Sequence, residues 1–101
     1  MENIVGILGT NTLFKDIPID EIRDILRKTR STVKKYKSGQ IVVFEGDECL
    51  SIGIVLAGRV NVQKAMESGT STTIDSLGQG KSFGDPVLFS DFHHYPSTIV
   101  A

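Results

Sequence analysis

Three groups of side chains in this 101-residue chain are of types that can do chemistry: the pair His93-His94, the lone Cys49, and the run Gly78-Gln79-Gly80-Lys81-Ser82. Adjacent histidines on an extended chain point to opposite sides, so they rarely chelate one ion; their plain reading is a solvent-facing loop. Cys49 follows Asp47 and Glu48, and neighbouring acids disfavour the reactive thiolate. It reads as a plain surface or semi-buried thiol. Being single, it also excludes an internal disulfide and a cysteine-ligated zinc or iron–sulfur site within one chain. The Gly-Lys-Ser ending resembles that of a phosphate-binding P-loop, but Ile74-Asp75 stands where that motif needs its first glycine. No Ser-His-Asp constellation or paired acid can be read here. The chain is therefore expected to be non-enzymatic, with no catalytic residue, no metal and no cofactor.

Length and charge bound the rest. The chain is long enough for one small domain. No apolar run approaches the roughly 20 residues that cross a bilayer, and the N-terminus lacks the basic start and longer apolar stretch of a secretory signal. A cytoplasmic protein with no membrane partner is expected. The formal net charge is −1, so whole-molecule electrostatics favour neither nucleic acid nor membrane. Seven of the eleven Lys and Arg residues nevertheless fall between Arg23 and Lys37. Without interleaved aromatics, that run reads as a solvated helix face followed by an exposed strand rather than a nucleic-acid patch.

The elements that must position any site follow from periodicity and turn residues. Residues 3–8 form a short helix broken by Gly9-Thr10-Asn11. A better helix runs over 18–29, with Pro18 at its first position, Asp20 and Glu21 in its first turn, and Ile22, Ile25 and Leu26 as one apolar stripe. Short β-rich runs follow at 31–36, 40–45, 50–56, 59–64, 71–77 and 97–101, separated by Gly and Ser turns. Such spacing indicates a sandwich or barrel with mainly antiparallel pairing. Ile52, Ile54 and Leu56 are expected to face inward, and Phe14, Phe44, Phe83 and Phe89 are expected in the core.

The order of motifs is specific. Gly39 is followed by Glu45-Gly46-Asp47, then Leu56-Ala57-Gly58-Arg59-Val60, Leu77-Gly78-Gln79-Gly80, Phe83-Gly84-Asp85 and Ser97-Thr98-Ile99-Val100-Ala101. Residues 13–101 thereby resemble the N-terminal cyclic-nucleotide-binding-like effector domain of CRP/FNR-type bacterial transcription regulators. The resemblance implies a mainly β fold, a double-stranded β-helix (jelly roll) with short N-terminal helices. It also implies a ligand held inside against a phosphate-binding cassette, which runs from Phe83-Gly84-Asp85 to Tyr95-Pro96-Ser97-Thr98-Ile99.

Two departures change the implied ligand. The family's arginine pairs with the cyclic phosphate; Tyr95 in its place offers one neutral donor instead of a cationic fork. The residue after it gives a backbone N–H to the phosphate, and Pro96 has none. Asp85 keeps the charge of the family's ribose-binding glutamate but is one methylene shorter. Charge-assisted bonds of about 1.5–3 kcal/mol each make the affinity loss roughly 50-fold to over a thousandfold. The expected ligand site is Phe83, Gly84, Asp85, Pro86, Val87, Tyr95, Pro96 and Ser97, and the effector is an unidentified small molecule rather than tightly bound cAMP. The family also implies a homodimer that reaches DNA only through a C-terminal winged helix-turn-helix. Residues 1–101 are then an effector domain truncated before the dimerisation helix, ending on an open sheet edge that could drive self-association. A kinase- or channel-type regulatory domain and a structural jelly-roll interaction module are the alternatives.

Overall fold

A computed structural model describes residues 2–101, which divide into a helical unit ending at Lys35 and a β unit, Tyr36–Ala101. In the helical unit, α1 (Glu2–Gly9) is followed by a 3-10 turn (Thr12–Phe14) and α2 (Ile19–Lys28). The buried Asn11 accepts a hydrogen bond on its side chain from the Leu13 N–H at 2.9 Å and so caps the turn. Pro18 sits at the N-cap of α2, one position earlier than expected, with Asp20 and Glu21 in the first turn and Arg27 and Lys28 in the last. That charge order suits the helix dipole. Val5, Leu8 and Ile22 are buried, and Ile22 Cδ1 lies 3.8 Å from where a Cβ on Gly9 would be. The expected strand over 31–36 does not form; these residues are irregular and exposed. Without a ladder partner, their exposed backbone groups are open to solvent rather than paired in a sheet.

The β unit holds two antiparallel sheets. One has four strands in the order β1 (Ile41–Val43), β6 (Thr98–Val100), β3 (Val60–Ala65) and β4 (Ser71–Leu77). The other pairs β2 (Gly53–Ile54) with β5 (Ser82–Phe83). β3 and β4 form a hairpin whose tip is closed by Met66 N–H to Thr70 O at 2.7 Å, with Gly69 at φ +89°. Val60, Val62 and Ile99 face one way by the period-two rule; Val60 and Ile99 are buried with Val55, and Val62, Leu77 and Phe83 pack against them.

Three sequence expectations are corrected. Within 50–56 it is Val55 that is buried, not Ile52, Ile54 and Leu56, because only Gly53–Ile54 enter a ladder and the flanking chain is free to turn. Phe44 and Phe89 are 57% and 74% exposed, not core. Phe44 leads into a turn, and Phe89 ends a helix of four residues, too short to carry a side inward. Finally, β6 is no edge: it pairs with β1 on one side and β3 on the other, so the premise of edge-driven self-association at the final strand fails.

Candidate functional site

The chain between β5 and β6 builds the site. Gly84 adopts φ +88°, which reverses the chain after Phe83 and starts α3 (Asp85–Leu88). Pro86 lies in the first turn of α3, where no intrahelical N–H is required. The Gly84 carbonyl accepts from Leu88 N–H at 2.7 Å and closes the turn. The return segment is zipped to residues 46–49: Gly46 N–H donates to Tyr95 O at 2.8 Å, Tyr95 N–H to Asp47 O at 2.8 Å and Cys49 N–H to His93 O at 2.6 Å. That ribbon fixes Tyr95 opposite Gly84.

All eight expected site residues are brought together. Phe83, Gly84, Asp85, Pro86, Val87, Tyr95, Pro96 and Ser97 line one cavity of about 300 Å³, with Val62, Asp75, Leu77, Ser82 and Ile99 completing the wall. Its floor is the same apolar cluster that forms the core. Asp85 accepts a hydrogen bond from Ser82 Oγ at 3.2 Å. Among the described residues, no Lys, Arg or His lines this cavity. Lys64 is close in the chain fold, but its Nζ donates to Pro96 O at 2.7 Å and pairs with Glu45 at 3.3 Å. Arg59 and Lys81 line a neighbouring groove instead.

Tyr95 is 8% exposed and does more than replace a side chain. Its hydroxyl lies against Gly84 and hydrogen-bonds with the Cys49 thiol, which also donates to Gly84 O at 3.4 Å. Burial first, then the neighbouring Cys49 and the Asp85 carboxylate, hold the phenol well above its ordinary range. Tyr95 is therefore a neutral phenol whose hydroxyl is turned toward Cys49 and Gly84. Pro96, next to it, is exposed and carries no N–H.

Cys49, expected as a surface or semi-buried thiol, is instead buried beside Gly84 of the cassette, and no local signal marks that place. Sequence reasoning missed Asp75 and Ser82. Asp75 shares a strand face with Leu77, a period-two signal that was available. His93 and His94 stay exposed outside the cavity, where His94 packs on Phe92 at a ring separation of 4.9 Å. Among the described residues, no group of three or more His, Cys, Asp or Glu gathers in position to hold a metal, and no helix is long and apolar enough to cross a membrane.

The comparisons agree with this fold. Cyclic nucleotide-binding domain is the description of the family that matches residues 33–101. A Silicibacter pomeroyi DSS-3 protein assigned as a cAMP-binding regulatory protein superposes with a TM-score of 0.86 at 20% identity, over 100% of this chain and 45% of that one. The regulatory domain of PKA from Toxoplasma gondii, crystallised with cAMP, gives 0.81 at 22% identity, over 98% and 36%. The sensor domain of the transcriptional regulator DNR from Pseudomonas aeruginosa gives 0.83 at 17% identity, over 99% and 65%. Lysophospholipase NTE1 from Phaeosphaeria nodorum is 39% identical over 51 residues, which are 50% of this chain and 3% of that protein. The solved structures share the jelly-roll fold, and the chain spans less than half of the first of them. With well over half of its length matched, the chain belongs to the cyclic nucleotide-binding domain family.

Proposed function

We propose that this chain is the ligand-sensing domain of a CRP/FNR-type transcription regulator, that it acts without catalysis, and that cAMP is not its tight-binding effector. One observation carries the reading. A cavity lies at the cassette, yet its wall offers no cation, and the hydroxyl of the residue at the arginine position is turned against Gly84 and Cys49. A cyclic phosphate entering there loses its water and gains no charged partner. Effector binding at Gly84–Asp85 and Tyr95–Ser97 shifts the population of a two-state dimer, and that shift reaches DNA through a further domain of the parent protein. The protein is cytoplasmic in this reading. A kinase-type regulatory domain is the second reading, supported by the shared fold with the Toxoplasma gondii structure.

Thermal denaturation tests the proposal. A ligand present at about 100 times its Kd adds about 2.7 kcal/mol, which moves the Tm of a domain of this size by on the order of 10–20 °C. Cyclic AMP at about 1 mM is expected to leave Tm within a degree or so of its starting value. A shift of the larger size with cAMP overturns the proposal.

A further inference from the structure

We infer that the cavity takes an apolar organic cation, such as an arylalkyl amine, and discriminates against anions. The inference rests on reading the cavity as an effector site, and it names the class of effector. Five oxygen-bearing side chains, Asp75, Ser82, Asp85, Tyr95 and Ser97, line an otherwise apolar chamber, and two of them are carboxylates. Ser97 is 6% exposed, lines the cavity, and its hydroxyl has no hydrogen-bond partner among the described residues. Among the described residues no buried side-chain oxygen or nitrogen is sealed off without a partner, so this hydroxyl is reachable from the cavity. Asp85 has one carboxylate oxygen engaged by Ser82 Oγ, and its other oxygen accepts nothing from a described side chain. Asp75 binds its own neighbour, Ser76 N–H, through Oδ1 at 2.8 Å and lines both this cavity and the adjacent groove.

Asp85 is half-buried and Asp75 exposed, so the gain lies in a ligand donor that meets their carboxylates at the rim and reaches the Ser97 hydroxyl inside. The donor that best satisfies two carboxylates and a hydroxyl is an ammonium, which gives charge-assisted bonds and carries no acceptor of its own. The nearby cations do not cancel this preference. Lys64 is held by Glu45 and the Pro96 carbonyl, Arg59 Nη1 is bound to Ser76 Oγ, and Lys81 lies in the groove outside the cavity. The remaining wall, with Val62, Leu77, Phe83, Val87 and Ile99, suits an aromatic or aliphatic body, and about 300 Å³ accommodates one of modest size.

The test uses matched probes that differ in charge: tryptamine against indole-3-acetate, phenethylamine against phenylacetate, and cAMP. Binding is followed by the amide shifts of Asp85, Val87 and Ser97 in the isotope-labelled chain. The expected result is that the amines move these signals with a Kd at least tenfold lower than their carboxylate partners. Asp85→Asn and Ser97→Ala are each expected to weaken the amines threefold or more at unchanged Tm, and Asp75→Asn serves as a third variant if either alters folding. If the carboxylates or cAMP bind at these residues as tightly as the amines, the cation preference is overturned while the sensing role stands. If no probe moves these signals, both the preference and the sensing role are overturned.

Discussion

The Tyr95 hydroxyl lies 2.5 Å from the position that a Cβ on Gly84 would occupy. The two ends of the cassette therefore meet at a glycine that has no room for a methyl group. Gly84 also holds φ +88°, which L side chains adopt at a cost. The cavity wall is set by this contact: displacing Tyr95 moves Pro96 and Ser97 with it.

Gly84→Ala is expected to destabilise the fold by about 2–4 kcal/mol, combining the left-handed backbone penalty with overpacking against Tyr95, Cys49 and Ser51. Urea denaturation measures it. A loss below about 1 kcal/mol means that the Tyr95 ring can leave its place freely.

Tyr95 gives a pH signature. Its folded-state pKa is raised, chiefly by burial and then by its bond with Cys49, so the neutral phenol is the form that the fold favours. The stabilisation is fully present below the unfolded value of about 10 and is lost as pH climbs above it, at about 1.4 kcal/mol per pH unit for one proton. Tyr95→Phe removes this dependence. At pH 7 the variant is expected to be less stable by about 0.5–1.5 kcal/mol, the net worth of one hydrogen bond. Between pH 10 and about 11.5 the gap is expected to narrow or reverse. Parallel stability curves for the two proteins through that range refute the buried-phenol assignment.

Gly53 lies under the ring of Phe83, its cross-strand partner, and a Cβ there would overlap the ring. Gly53→Ala must push Phe83 into the cavity or open the β2–β5 pair. A loss of about 1–3 kcal/mol is expected, with weaker binding of whichever ligand occupies the chamber. Unchanged chemical-shift positions for the Phe83 ring in the variant count against this contact.

Lys64 bridges Glu45 and the Pro96 carbonyl from an exposed position. Lys64→Met is expected to cost under about 1 kcal/mol, and the difference is expected to shrink further at high salt. A salt-independent loss well above that size identifies Lys64 as a structural brace of the cassette rather than a surface pair.

Much of this architecture is written locally. The turns at Gly39, Gly46, Gly58, Gly69 and Gly80 all have positive φ, and short β-rich runs between such turns read as antiparallel strands. The strand over 71–77 and the helix around Ile22 also lie where their patterns put them, because turn chemistry and apolar period act within a few residues. The grouping of residues 83–87 with 95–97 into one site came from the family resemblance, which carries the two stretches as one cassette.

What the linear order does not contain is which distant groups meet. The strand expected over 31–36 has good β-forming residues and stays irregular, because a strand needs a partner that only the assembled sheet supplies. The place of β6 between β1 and β3 turned an apparent edge into a central strand. Nothing near Cys49 in the sequence predicts that its thiol reaches Tyr95 and Gly84, or that Asp75 joins Asp85 and Ser97 around one cavity. By itself, then, the amino-acid sequence determined the β3–β4 hairpin strands, the glycine turns and the lack of a cation among the cassette residues, since these are properties of residue type and spacing. The grouping of Asp75 with Asp85 and Ser97 and the placing of the Tyr95 hydroxyl against Cys49 and Gly84 were decided by tertiary structure alone, because both arise where separate segments of the chain pack together.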